Sequence, residues 1–256
     1  MGASLTSPPL LIAHRGGVVD GQRSENSFKA LDEAVRRGYT HVEIDARITA
    51  DGHVICFHND TLLEEAGVDG RISSILRDEV TQVVLTRSGE NIPTFEQYCA
   101  RCAGRIGVMI DLKGCPDEFI NLYADEIKTA LAKHHLLKES LILINKAPRD
   151  NQAVIARLFS GMARVSWRRT LEETHEAIQR DTAFATDHYV FNHGDDFAAD
   201  DIAGFQALGL PVIASINHQH YPDGDPTALG AEHIRQLRDW GIDGFQIDSS
   251  YDTELG

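Results

Sequence analysis

Two histidines, His14 and His58, stand at either end of one stretch of the chain, with Arg15 directly after the first and Glu43 and Asp45 between them. In an extended strand, residues two apart share a face. Both carboxylates therefore point one way, while Val42, Ile44 and Ala46 point the other. Paired oxygen ligands with no cysteine beside them suit one hard divalent cation, Mg²⁺ or Ca²⁺, with Mn²⁺ as a third candidate. Two imidazoles near a metal and a guanidinium suggest general acid and base work on a phosphate ester. Further on, RIGVMIDLKG puts Met109, Asp111 and Lys113 on one face of another strand. There Asp111 and Lys113 are either a surface ion pair or a further metal ligand and a phosphate-holding ammonium. Each of these residues alone is ordinary strand-edge or loop polarity; grouped at the ends of apolar runs, they form a candidate site.

Apolar strand-like runs alternate with helical periodicity along the whole chain. The strands are expected at residues 10–14, 41–47, 54–58, 106–113, 140–144, 163–167, 188–192, 211–216 and 244–248. Helices are expected at 27–37, 95–102, 118–136, 150–159, 171–180, 199–208 and 230–240. Thr94 and Asp150 are candidate helix N-caps, and Gly38, Gly209 and Gly241 fall just past helix ends where a left-handed residue is wanted. Nine strands are one too many for an eight-stranded barrel. The odd one is 54–58, which follows its predecessor too closely for a parallel crossover and is preceded by the turn signal Asp51-Gly52. It should fold back antiparallel and carry His58 over the barrel mouth. The other eight strands imply an α/β fold, a (β/α)₈ TIM barrel over residues 8–252 with a small insertion after strand two. In such a barrel the active site lies at the C-terminal strand ends. Residues 67–93, rich in Gly, Asp, Ser and Thr, are the excursion and a candidate part of the substrate rim.

A net charge of −15 over 256 residues argues against nucleic acid or an anionic membrane as the main partner. Any phosphate must then be held by locally concentrated Arg, Lys and metal. No secretory signal or membrane-length apolar run is visible, so a cytoplasmic location is expected. Met1-Gly2 with Thr6 fits a myristoylation pattern, a short and common motif. Cys99-x-x-Cys102 has no second ligand pair and lies in a helical run, so it reads as reduced structural thiols. Histidines 188, 193, 218 and 220 follow no zinc spacing and read as polar loop residues. Trp167 and Tyr221 either line a substrate pocket or cap the core.

His14-Arg15-Gly16, Glu25-Asn26-Ser27, Glu43-Ile44-Asp45, Asp51-Gly52 and His58-Asn59-Asp60-Thr61-Leu62 together resemble the signature of the glycerophosphodiester phosphodiesterase family. The resemblance is dense over the first quarter of the chain and thinner beyond. It implies metal-assisted cleavage of a small-molecule glycerophosphodiester to sn-glycerol 3-phosphate and an alcohol. Glu43, Asp45 and Asp111 would hold the cation, His14 and His58 would share the proton transfers, and Arg15 and Lys113 would neutralise the phosphate. Two departures stand out. Asp111 occupies a position where the family usually has Glu, shortening the reach by about 1.5 Å. Ser215-Ile216-Asn217 stands where the family commonly has Trp or Thr before Val-Asn, and Gly244 to Asp248 resembles its closing Gly-x-x-x-Asp. Related sphingomyelinase D-type phospholipases share the barrel and use Asp-x-Lys, so a phospholipase of that type is the alternative. A catalytically silent phosphodiester-binding protein on the same barrel is a third reading.

Overall fold

The computed structural model describes residues 8–114, 119–145 and 147–255 of the chain. The myristoylation pattern at Met1-Gly2 and the expected helix start at Glu118 lie outside these residues.

All nine expected strands form: β1 (Leu10–Ala13), β2 (His41–Ile48), β3 (Val54–Cys56), β4 (Gly107–Lys113), β5 (Ser140–Leu143), β6 (Arg164–Trp167), β7 (His188–His193), β8 (Val212–Ile216) and β9 (Gly244–Ile247). All but β3 run parallel and close into a ring, with β1 hydrogen-bonded to β2 on one side and β9 on the other. This is a (β/α)₈ barrel. β3 lies antiparallel on β2, with Ala46 opposite Cys56 and Ile48 opposite Val54, as the short connection requires. Its turn is fixed by Asp51, whose Oδ1 accepts from Thr49 Oγ1 (2.6 Å) and the Arg77 amide (2.9 Å).

Side-chain alternation divides each strand between two cores. Val42, Ile44 and Ala46 of β2 and Val108, Ile110 and Leu112 of β4 pack against the helices. Ile12, Met109, Leu141, Tyr189 and Ile213 fill the barrel. A register slip of one residue would exchange the two sets and turn the Glu43, Asp45 and Asp111 carboxylates into the apolar layer under the helices, so the register is strongly held. On β2 and β4 that register sets Glu43 opposite Met109, Asp45 opposite Asp111 and Arg47 opposite Lys113.

The helices are α1 (Phe28–Arg37), α2 (Leu63–Ala66), α3 (Arg77–Val80), α4 (Phe95–Cys102), α5 (Ile120–Lys133), α6 (Arg149–Phe159), α7 (Leu171–Arg180), α8 (Phe184–Asp187), α9 (Ala199–Ala207) and α10 (Pro226–Asp239). Thr94 caps α4 in a reciprocal box with Gln97, and Gly38, Gly209 and Gly241 all have positive φ. Two helix starts differ from expectation. Asp150 is not a cap: α6 begins at Arg149 after Pro148, and Asp150 sits in the first turn, where its charge still complements the helix dipole. α10 begins at Pro226 rather than Gly230, because Asp225 accepts from the amides of Thr227 and Ala228 and proline is pre-shaped for the first helical position. Gly230 is instead inside the helix, where a Cβ would meet the Tyr251 ring at 2.5 Å.

Residues 67–93 carry α3 and bury Ile72, Val80, Leu85 and Ile92 with Ile55 and Phe57 in a small core of their own on the β3 side. Trp167 caps the core: it packs edge-on to Phe184 at 4.8 Å and donates to Thr174 Oγ1 at 2.8 Å. Cys56, Cys99 and Cys102 are free and buried, and burial pushes the Cys102 thiol up to about 12, as befits unreactive structural thiols. Among the described residues no helix is long and apolar enough to cross a membrane.

Candidate active site

The chain turns sharply after β1 through three consecutive residues with positive φ, Arg15 (+53°), Gly16 (+81°) and Gly17 (+134°). That turn aims the Arg15 amide at Glu43 Oε2 (2.7 Å) and the Gly16 amide at the Glu43 carbonyl (2.6 Å). Glycine is required here, since a Cβ on Gly16 would lie 2.4 Å from the Asn26 Cα and one on Gly17 2.3 Å from the Ala30 carbonyl. Asn26, itself at φ +54°, closes the motif. Its Nδ2 donates to Asp45 Oδ2 (2.9 Å) and its Oδ1 accepts from the Asp45 amide (3.1 Å).

The barrel brings Glu43, Asp45 and Asp111 together, with one oxygen from each within 4.8 Å of the others. All three are buried. Despite its shorter side chain, Asp111 reaches the group because β4 pairs with β2 in register at Asp45. Lys113 lies among these carboxylates rather than apart from them, its Nζ 3.1 Å from Asp45 Oδ1 and 2.5 Å from Asp111 Oδ2. Three acids against one ammonium leave the site negative. Burial, with the charges of Asp45 and Asp111 behind it, pushes the Glu43 carboxyl well above the usual range. Burial is the largest influence on Asp45 and would raise it, but Lys113, His58, the Asn26 hydrogen bond and His14 together hold this carboxyl below its ordinary value. Lys113 in turn is held above its ordinary value, since Asp45 and Asp111 outweigh the effect of burial. Asp45 Oδ1 is buried and accepts no hydrogen bond, the Lys113 contact lying off hydrogen-bond geometry. A buried, net-negative, all-oxygen group with an oxygen that accepts no hydrogen bond fits a hard divalent cation.

His14 follows β1 at the level of Glu43, and its Nδ1 meets Asp248 Oδ1 at 2.7 Å. The other Asp248 oxygen accepts from the His218 amide at 2.8 Å. Burial opposes the Asp248 charge, yet these contacts hold its carboxyl below the ordinary value. His58 is delivered by β3. Its carbonyl accepts from Arg47 Nε (2.9 Å) and Nη2 (2.7 Å), and its Nδ1 meets the Asn59 amide oxygen at 2.8 Å. Burial lowers the proton affinity of His58. The Arg15 guanidinium is paired with Glu25 and lies 3.5 Å from Gln219 Oε1. A cavity of about 340 Å³ adjoins His14 and Arg15. A second, of about 530 Å³, adjoins His58 and Lys113. No residue of 67–93 lines either cavity, so the excursion supplies neither of these walls.

All seven candidate residues therefore meet at one end of the barrel. Asp248, Glu25 and Asn26 belong with them; the sequence placed Asp248 at a strand end, with a structural role at the barrel mouth as good a reading as a catalytic one, and Glu25-Asn26 only within the family motif. Of the late histidines, His193 and His220 stack with ring centres 4.0 Å apart, while His188 lies at the start of β7 and bonds the Phe184 carbonyl. Burial, then His193 and His14, lowers His220 to about 4. Among the described residues none of these histidines joins a metal-ligating group. Ser215 donates to Gln246 Oε1 (2.7 Å) and accepts from Asn217 Nδ2 (2.9 Å), a buried polar trio where Trp or Thr was the family expectation. Tyr221 lines neither cavity and meets His233 at 2.9 Å.

Comparison with known proteins agrees with this arrangement. The model of the Glycerophosphoryl diester phosphodiesterase family matches residues 14–250. Over 158 residues the chain is 26% identical to the glycerophosphodiester phosphodiesterase of Caldanaerobacter subterraneus, a match covering 59% of this chain and 58% of that one. These matches span only part of the curated relatives' length, 46% for one from Bacillus subtilis and 33% for the human one. A crystal structure of a glycerophosphoryl diester phosphodiesterase from Parabacteroides distasonis superposes with a TM-score of 0.77 at 18% identity, covering 99% of this chain and 86% of that one. A phosphodiesterase from Oleispira antarctica, solved with the product sn-glycerol-3-phosphate, does so with a TM-score of 0.74 at 21% identity, over 97% and 95% of the two chains. Fold, motif and site converge: the chain belongs to the glycerophosphoryl diester phosphodiesterase family.

Proposed function

We propose that the protein is a metal-dependent phosphodiesterase that cleaves small glycerophosphodiesters to sn-glycerol 3-phosphate and an alcohol. The observation that carries this reading is the buried Glu43–Asp45–Asp111 group with a histidine and a cationic side chain on either side. Membership of the family supports it, as does the product held by the Oleispira relative. The three carboxylates would hold one Mg²⁺ or Ca²⁺, which when bound neutralises the phosphoryl group and makes the attacking oxygen more acidic.

The protein's own groups do the rest. Arg15, tethered to Glu25, and Lys113, tethered to Asp45 and Asp111, bring two positive charges to where phosphate charge must be met. His14 and His58 divide the proton transfers, one accepting a proton from the attacking oxygen and the other giving one to the departing alcohol. Asp248 fixes the His14 ring through Nδ1, leaving Nε2 for the substrate and stabilising the imidazolium when it forms. A coupled assay for glycerol 3-phosphate across a panel of glycerophosphodiesters tests the reading. Release from at least one member is expected; no release from any, with metal supplied, contradicts it.

A further inference from the structure

We propose that Glu65 is a positioning residue for Arg15: by engaging Arg87 it reserves the Glu25 carboxylate for Arg15, and so tightens substrate binding from outside the cavities. The inference deepens the phosphodiesterase reading above and rests on the place that reading gives Arg15.

Glu65 and Arg87 line neither of the two cavities at the site. Both are nonetheless packed on the segment that carries the active-site motif. Glu65 stands in α2, and its carbonyl accepts from the Thr86 amide (2.9 Å) and Thr86 Oγ1 (3.0 Å). The residues that follow are docked on positions 24–29. The Ser88 amide donates to Ser24 Oγ (3.1 Å), Lys29 Nζ donates to the Ser88 carbonyl (2.6 Å), and the Lys29 amide donates to Glu90 Oε2 (3.2 Å). Arg87 and Glu25 are the chain neighbours of the bonded Ser88 and Ser24, so their side chains start from adjoining backbone.

Four charges meet there. Arg15 is paired with Glu25, and Arg87 Nη2 donates to Glu65 Oε1 at 2.9 Å. Both carboxylates are buried, and among the described residues the second oxygen of each accepts no hydrogen bond. Burial pushes the Glu65 carboxyl up and the Glu25 charge adds to it, while Arg87 and Arg15 pull the other way, so all four groups feel one another. A buried carboxylate is costly unless a cation is near, and the unengaged Glu25 oxygen is open to any cation that reaches it. Arg87 becomes such a cation once Glu65 is gone, because its side chain is 41% exposed and has room to turn. Shared between two guanidiniums, Glu25 no longer holds Arg15 in one place, and a misplaced planar fork binds phosphate poorly. The pair thus acts by keeping a competitor occupied.

The test measures KM and kcat for a glycerophosphodiester of the panel above, and the calorimetric Kd of sn-glycerol 3-phosphate, on metal-loaded full-length protein. Glu65→Met keeps an unbranched side chain with good helix preference and removes the charge. KM and Kd should both rise about fivefold or more with kcat within about twofold, the pattern of lost binding rather than lost chemistry. Adding Arg87→Met removes the competitor, and the double variant should return to within about twofold of the unsubstituted protein in both constants. Glu65→Asp, which draws the carboxylate back by one methylene, should give the same pattern on a smaller scale and serves if Glu65→Met does not fold. An unchanged KM in the folded Glu65 variant, or a double variant as weak as the single one, overturns the inference and leaves the pair a plain strut between α2 and the excursion. Either result leaves the phosphodiesterase reading standing, whereas an unsubstituted protein that cleaves no glycerophosphodiester removes that reading and this inference with it.

Discussion

At the scale of single residues, the two histidines proposed to share the proton transfers sit in different surroundings. His14 leans on a carboxylate, whereas His58 is half-buried against an amide and the Arg47-bound backbone. Alanine at either position should lower turnover of an alkyl ester by roughly 10²–10⁴-fold. A p-nitrophenyl ester separates them, since its leaving group departs without a proton. The variant lacking the proton donor should then recover to within about tenfold of the unsubstituted protein, while the other should not; equal recovery of both variants would contradict the division. Asp248→Asn keeps the shape of the side chain and removes its charge. We expect kcat to fall about tenfold or more with KM little changed, whereas a purely structural Asp248 would lower thermal stability and spare kcat. The His14–Asp248 contact joins residues 234 positions apart and exists only because β9 closes onto β1. Nothing local in the sequence could pair them. By contrast Glu43, Asp45, Asp111 and Lys113 were legible, because strand alternation alone fixes which face they share.

At the scale of elements, the turn after β1 and its clasp by Asn26 set the carboxylates in place. Gly16→Ala meets Asn26 backbone as well as an unfavourable φ, while Gly38→Ala meets the same φ with open space around it. Gly16→Ala should cost about 2–3 kcal/mol and Gly38→Ala about 1 kcal/mol by denaturant unfolding. Equal costs would show that the Asn26 contact relaxes freely. Strand positions were readable because apolar runs of this length between turn signals have few alternatives, and the antiparallel β3 followed from loop length. What the sequence hid has physical reasons too. α2, α3 and α8 are single turns, too short to show a helical period. α10 starts four residues early because its cap and proline precede the amphipathic stretch, so periodicity registered the helix only once the buried face began.

At the scale of the molecule, a strongly anionic chain concentrates three buried carboxylates at one barrel end and holds them with a single buried lysine. Such a group is poorly compensated unless a cation joins it, and this ties the fold's local electrostatics to the proposed activity. The cation requirement is the central claim. Its most direct measurement is calorimetric titration of Mg²⁺ and Ca²⁺ into chelator-stripped protein and into Asp111→Asn, with glycerol 3-phosphate release followed in parallel. Stripped protein should be inactive and regain turnover as one cation binds; Asp111→Asn, keeping one carbonyl oxygen but losing a charge, should bind it about tenfold or more weakly and recover partly at high concentration. Full turnover in the stripped protein, or equal dissociation constants for the two proteins, would contradict a cation held by Glu43, Asp45 and Asp111.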